Sequence, residues 1–85
     1  MYRSEIIKKE KLDLERETGK AVDLCIVGRG LGSSLFYDCF MGDKNIVRSS
    51  KGNKIVGVDL IIDSALPEFK CILTARESLS HTPLT

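Results

Sequence analysis

The segment AVDLCIVGRGLGSS, residues 21–34, constrains the fold more than any other part of the chain. Residues 21–27 are apolar on both sides of an extended chain except at Asp23, a pattern typical of a strand in the middle of a sheet. Gly28, Gly30 and Gly32 follow directly, and they predict a loop over residues 28–32 whose backbone passes close to another group. We therefore expect a buried central strand followed by a close backbone approach.

The first twenty residues form a charged segment that fits two structures. Residues 3–10 contain good helix formers and a favourable pair, Glu5 and Lys9, one helical turn apart. Residues 11–16 instead alternate between charged and apolar side chains, as a strand would. We predict a helix over residues 3–10 and a strand over residues 11–16, so both structures stay open for the segment as a whole.

The second half of the chain is dominated by strand patterns. Residues 33–41 suit either a short helix that begins at one of two serines or an aromatic-rich strand. Residues 46–49 and 54–62 are predicted strands, and the hairpin turn between them contains Gly52 and Asn53, which tolerate a positive φ. Residues 69–76 alternate between apolar and polar side chains, which is typical of a strand in a sheet with one solvated face.

These elements predict a β-rich α+β fold. A charged N-terminal helix (or strand), residues 1–20, precedes four to five strands, residues 21–76, which form a mainly antiparallel sheet or a small open barrel. We expect residues 1–76 to be a single small domain and residues 77–85 to be a flexible tail. The apolar fraction of 42% is that of a globular domain, and self-association often reinforces the thin core of so short a chain.

Composition argues against several function classes. The net charge of +1 gives no overall field that would draw the protein to nucleic acid or to an anionic membrane. The three cysteines lack a C-x-x-C pair and His81 is the only histidine, so we expect no metal site and no cofactor. Buried, reduced thiols and the lack of an apolar run of membrane-spanning length predict a cytoplasmic protein with no membrane contact.

Catalysis is not expected either. His81 lies in the polar tail, and Ser33 and Ser34 stand outside a G-x-S-x-G motif. A catalytic cysteine would need a nearby base, and the only histidine is poorly placed for that role. We therefore predict that the protein is not an enzyme.

The glycine-rich stretch is one candidate binding site, an anion-binding loop formed by Gly28, Gly30, Gly32 and Ser33. Ser33 stands where the dinucleotide-binding fingerprint G-x-G-x-x-G has its third glycine, so a simple connection between strands explains the glycines better than a nucleotide does. Nucleotide or anion binding by the backbone amides of residues 28–34 is kept as an alternative.

The basic hairpin over residues 44–54 is a second candidate. Its residues Arg48, Lys51 and Lys54, together with Arg29, are the predicted contacts to nucleic acid. A hairpin that pairs symmetrically would place Arg48 and Lys54 on one face. Contacts between such side chains and phosphates would make the affinity fall with salt.

Association with other chains is the leading prediction. If the strand over residues 54–62 or the strand over residues 69–76 lies at a sheet edge, that strand offers unpaired backbone groups to another chain. We predict a small, non-catalytic interaction or regulatory module that forms a homo-oligomer and binds a protein partner through a sheet edge or face. Nucleic-acid binding and anion binding are the alternatives.

Overall fold

The computed structural model describes residues 1–76 as two helices and one open sheet of five strands. The elements, in chain order, are α1 (Arg3–Thr18), β1 (Leu24–Val27), α2 (Arg29–Phe40), β2 (Ile46–Val47), β3 (Asn53–Ile55), β4 (Val58–Ile62) and β5 (Cys71–Thr74). The strand order is β2-β3-β4-β1-β5. All neighbours are antiparallel except β1 and β4, which are parallel. The α+β prediction with a mainly antiparallel sheet is confirmed, and the sheet does not close into a barrel.

Strand β1 occupies an interior position, as its apolar sequence predicts. It pairs with β4 on one side and with β5 on the other, and the side chains of Cys25 and Val27 are fully buried. The strand begins at Leu24, three residues later than expected. The parallel pairing with β4 requires a long connection, which α2 and the β2–β3 hairpin supply.

Helix α1 is longer than predicted, and the strand expected over residues 11–16 is wrong. The helix continues to Thr18 and ends at Gly19, whose φ of 71° is a left-handed C-cap. Lys9 forms an ion pair with Asp13 at 3.2 Å, and Lys11 forms an equivalent pair with Glu15 at 3.1 Å. These contacts between residues four positions apart favour the helix over an extended chain. The expected partner of Lys9, Glu5, instead accepts a hydrogen bond from the side chain of Asn45.

Helix α2 replaces most of the loop predicted over residues 28–32. It begins at Arg29, directly after Gly28, and it resolves residues 33–41 in favour of the helical alternative. Gly30 and Gly32 therefore lie in the first turns of a helix. The helix forms in spite of these glycines because Leu35 is fully buried in the core, and tertiary packing outweighs the unfavourable helix propensity of glycine.

The strand predicted over residues 54–62 is also wrong, because a tight turn divides it into β3 and β4. Val56 and Gly57 both have positive φ, 43° and 85°, as the central residues of a type I′ hairpin turn do. The Val56 N–H donates to the carbonyl oxygen of Asn45 at 2.8 Å, which holds this unusual backbone conformation in place. The preceding hairpin, in which Ile46 pairs with Ile55, is confirmed.

Both helices pack on one face of the sheet. Residues that are paired across strands share a face, and the register places Cys25, Leu60 and Leu73 together. The buried core joins this face to Ile7 of α1 and Leu35 of α2. The opposite face carries no described helix. We call it the open face, and its residues on the three adjacent strands β4, β1 and β5 are Asp59, Ile61, Leu24, Ile26, Ile72 and Thr74.

A buried polar network fixes α1 against the connection between α2 and β2. The Ser4 hydroxyl, which is fully buried, donates to Asp43 at 2.5 Å and accepts from the Asn45 amide at 3.1 Å. Arg3 forms an ion pair with the buried carboxylate of Asp38 at 2.9 Å. Every member of the network is satisfied, so the buried polar atoms specify one position for the helix without an unpaired group.

The glycines of α2 allow residues 67–70 to cross the start of the helix. The Gly28 N–H donates to the Lys70 carbonyl at 3.0 Å and the Leu31 N–H donates to the Glu68 carbonyl at 2.7 Å. A Cβ atom added at Gly28 would clash with the Pro67 carbonyl oxygen and would lie 2.8 Å from the Glu68 carbonyl group. The close backbone approach expected from the sequence is therefore a contact within the chain itself.

We predict that Gly28→Ala lowers the free energy of unfolding by about 3 kcal/mol, because rigid backbone atoms must move to admit the methyl group. Gly30→Ala is the matched control. Its Cβ would lie 3.0 Å from the side chains of Glu68 and Phe69 and 3.1 Å from the Glu68 carbonyl oxygen. These contacts are less severe than those at Gly28, and alanine favours the helix, so we expect a smaller loss of stability. Urea denaturation measures both variants, and equal losses would contradict the steric explanation.

Candidate functional site

Three isoleucines form a row across the centre of the open face. The register pairs Ile26 of β1 with Ile61 of β4 on one side and with Ile72 of β5 on the other. The Ile61 side chain is 46% exposed, and Ile26 and Ile72 are half-buried. Because side chains directly opposite each other on one sheet face are in contact distance, this isoleucine row is a continuous apolar strip on the surface of the described structure.

A charged cluster borders the isoleucine row. Leu24, two residues before Ile26 and on the same face, lies between Asp59 and Thr74 and is only 3% exposed. Asp59 accepts hydrogen bonds from Lys54 at 3.1 Å and from Arg76 at 2.6 Å. The hydrogen bond from Arg76, followed by that from Lys54, lowers the pKa of the Asp59 carboxyl. The open face therefore has an apolar centre and a polar rim of paired charges.

Strand β5 forms one edge of the sheet and continues the open face. It contains residues 71–74, CILT, without a charged residue or proline. Charged side chains, prolines and bulges are the devices that protect exposed edges from pairing with another chain, and β5 lacks the first two. Two predicted strands are candidates for a sheet edge. The strand over residues 69–76 corresponds to β5, which is an edge strand, whereas the strand over residues 54–62 corresponds to β3 and β4, which lie inside the sheet.

A groove between α1 and the β2–β3 hairpin is bordered by four lysines. We call it the lysine groove; its volume is about 340 Å³, and Lys8, Lys11, Lys44 and Lys54 line it. Apolar side chains and Asn45 complete the lining, which contains no acidic residue. Lys11 and Lys54 have ion-pair partners outside the lining, whereas Lys8 and Lys44 form no ion pair with residues 1–76.

The structure separates the four predicted nucleic-acid contacts. Arg48 stacks on the Phe36 ring of α2, with its guanidinium carbon 4.4 Å from the ring centre. Lys54 instead binds Asp59 on the open face, so the expectation that Arg48 and Lys54 share a face is wrong. Lys51 lies exposed in the hairpin turn, and Arg29 begins α2. Only Lys54 reaches the lysine groove.

The predicted anion-binding loop is reorganised by the helix. Gly30, Gly32 and Ser33 belong to α2, and Ser33 is exposed. Two of the backbone N–H groups in this stretch, those of Gly28 and Leu31, already donate to carbonyl oxygens of residues 67–70. A Cβ added at Gly32 would approach the Ile62 side chain at 2.8 Å. These contacts give the glycine spacing a packing role, and anion binding there stays a prediction.

The cysteines are free thiols. Cys25 is buried, and Cys39 and Cys71 are half-buried. Across residues 1–76, no three side chains of the metal-binding types histidine, cysteine, aspartate and glutamate come together. His81 and the tail predicted over residues 77–85 lie outside the described residues.

Comparison with protein-family models, with curated protein sequences and with solved structures finds no match to this chain. Within residues 1–76, neither helix has the length and apolar character that crossing a membrane requires.

We predict that Arg76→Gln moves the pKa of Asp59 upward toward its ordinary value of about 4, because the strongest hydrogen bond to the carboxylate is lost. The folded-state pKa of Asp59 lies below the unfolded value. The interaction therefore stabilises the fold above the unfolded pKa and is lost as the pH falls through the folded pKa. The wild type and the variant should converge in stability in acid.

Carbon-13 NMR titration of the side-chain carboxyl groups measures this pKa directly. Arg48→Gln is the matched control, since it removes the same charge from a side chain that lies over Phe36. An Asp59 titration that is unchanged in Arg76→Gln, or that shifts equally in the control, would contradict the assignment.

Proposed function

We propose that the protein is a non-catalytic interaction module that self-associates through its open face. The observation that carries the proposal is the isoleucine row, in which Ile61, Ile26 and Ile72 form a continuous apolar strip with no described element over it. Of the described elements, α1 and α2 cover only the other face of the sheet. A second sheet is a suitable cover, because two sheets pack face to face through their apolar side chains.

A second copy of the chain is the occupant that the charges of the open face favour. Around the isoleucine row, Lys54 and Arg76 contribute two positive charges, and Asp59 and Asp23 contribute two negative ones. Because this rim is neutral, two identical faces meet without net repulsion. A two-fold axis near Ile26 would place one row on the other, and the paired charges would form the polar rim that interfaces usually have.

The size of the apolar strip indicates reversible association. Burying Ile61, which is 46% exposed, contributes about 1 kcal/mol, and Ile26 and Ile72 contribute less because they are less exposed, since full burial of an isoleucine contributes roughly 1.5–3 kcal/mol. Two copies of the row then contribute at most about 5 kcal/mol, which is comparable with the lower end of the cost of association. We therefore expect a dimer that dissociates on dilution. Regulation by concentration or by a competing protein partner is consistent with such an interface.

We predict that Ile61→Lys keeps the protein monomeric at concentrations at which the wild type dimerises. A lysine in the centre of the strip would have to bury an unpaired charge in the dimer. The matched control is Ile6→Lys, because Ile6 has a similar exposed fraction, 53%, but lies on α1. Sedimentation velocity over a wide concentration range gives the mass of all three proteins, and circular dichroism confirms that each is folded.

A wild type that stays monomeric throughout this range would overturn the proposal. Dimerisation that survives in Ile61→Lys and is lost in Ile6→Lys would assign the interface to α1 instead. Dimerisation that survives in both variants would favour pairing through the backbone of the β5 edge, which needs no isoleucine side chain.

Nucleic-acid binding is the second candidate, and the lysine groove favours it. Four lysines from α1, the α2–β2 connection and β3 border one groove that has no acidic lining residue. Such a surface suits the phosphodiester backbone of a single strand, because the positive charges follow the chain without reading its sequence. Of the four residues predicted to contact nucleic acid, this candidate keeps only Lys54, and it adds Lys8, Lys11 and Lys44.

For this candidate we predict that the double change Lys8→Glu and Lys44→Glu weakens binding to a short labelled single-stranded DNA by at least roughly tenfold at low salt. The matched control changes the same number of charges at Lys51 and Arg29, which do not line the groove, and should lose affinity much less. Fluorescence anisotropy at several salt concentrations measures both effects. Equal losses, or wild-type binding that is insensitive to salt, would contradict the assignment.

A further inference from the structure

Two thiols lie side by side on the face of the sheet that α1 and α2 cover, which we call the covered face. Cys25 is on the central strand β1 and Cys71 is on the edge strand β5. The register pairs Cys25 with Leu73 and Cys71 with Val27, so the two cysteines are diagonal neighbours whose side chains point to the same face. Their Sγ atoms are 3.8 Å apart.

The surroundings of the two thiols differ in a way that assigns separate roles. Cys25 is fully buried, whereas Cys71 is half-buried and within reach of solvent. The hydrogen-bond contact between the two thiols, in which either can donate, lowers the pKa of Cys71 and raises that of Cys25. Lys70 also lowers the pKa of Cys71, while burial and Glu10 of α1 oppose this effect. Cys71 is thus the more accessible of the two thiols to a dissolved reagent, and it is also the more readily deprotonated.

We propose that Cys25 and Cys71 form a redox site that reacts with a small disulfide of the glutathione class and closes into a reversible intramolecular disulfide. The Cys71 thiolate attacks one sulfur of glutathione disulfide, and one glutathione leaves as a thiolate that takes up a proton. Cys25 then loses its proton and attacks the Cys71 sulfur, which expels the second glutathione. Two protein thiols are oxidised, and one glutathione disulfide is reduced to two glutathione thiols.

The position of Cys71 in an edge strand makes the closure feasible. A disulfide bond is about 2.05 Å long, so the two sulfur atoms must approach from 3.8 Å. Strand β5 is hydrogen-bonded to a strand on one side only, and it can therefore shift more easily than a strand between two neighbours. The bond would join two cysteines that are 46 residues apart in sequence. A cross-link over so long a segment strongly reduces the conformational entropy of the unfolded chain.

The third thiol provides an internal control. Cys39 lies on α2, and its thiol donates to the carbonyl oxygen of Ile46 at 3.4 Å, away from the pair. Oxidation at the proposed site should therefore consume two thiols and leave one. In Cys39→Ser, the same two thiols should be consumed and none should remain.

In the test, the 85-residue chain is equilibrated in buffers of reduced and oxidised glutathione and quenched with acid, and the remaining thiols are then labelled. Intact mass and peptide mapping should show a Cys25–Cys71 link, the loss of two hydrogens and one labelled thiol. Reduction should restore three labelled thiols, and the oxidised form should melt about 10 °C higher. Cys25→Ser should stop at a single glutathione attached to Cys71, because the resolving thiol is missing.

Three labelled thiols in the wild type after incubation with oxidised glutathione would overturn the proposal. A link that includes Cys39, or only covalent dimers that disappear in Cys39→Ser, would overturn it as well. Because the mapping of the wild type and of Cys39→Ser decides the question without any change to the core, a loss of folding in Cys25→Ser would leave the test intact.

Discussion

The apolar character of both faces of β1 constrains the rest of the described structure, because α1 and α2 cover only one of these faces. Cys25 and Val27 are enclosed by α1 and α2 on the covered face. Leu24 and Ile26 project to the other face, where β4 and β5 supply their neighbours. The position of β1 between these strands gives the sheet its mixed pairing and creates the isoleucine row. The surface most suited to binding is thus a consequence of how the core is built.

Two sets of intramolecular contacts hold the layers in register. The buried network around Ser4 and Asp43 orients α1, and residues 67–70 cross the glycine-rich start of α2. The second contact uses backbone groups that a phosphate would otherwise meet, and the first brings α1 next to the β2–β3 hairpin. Packing therefore gives the glycines a structural role and assembles the lysine groove from segments that are far apart in the chain.

The proposed sites lie on different surfaces but share residues and elements, since Lys54 belongs both to the rim of the open face and to the lysine groove. The isoleucine row lies on the open face, the cysteine pair on the covered face and the lysine groove beside α1. Strand β5 links two of them, since Cys71 and Ile72 are consecutive residues whose side chains point to opposite faces. A disulfide at Cys71 would fix the strand that carries Ile72, so the redox state and the interface share one structural element.

Local sequence patterns determined the α+β class, the central strand, the β2–β3 hairpin and the alternation in β5, because each depends on residues that are close together in the chain. They could not determine that α1 continues to Thr18, since alternation over residues 11–16 is compatible with both structures. Nor could they reveal the turn at Val56, a β-branched residue with a positive φ whose N–H donates to the distant Asn45 carbonyl oxygen. The isoleucine row and the thiol pair are set by strand register across tens of residues. Both features come from tertiary packing, because register results from the packing of many segments together and not from any local preference.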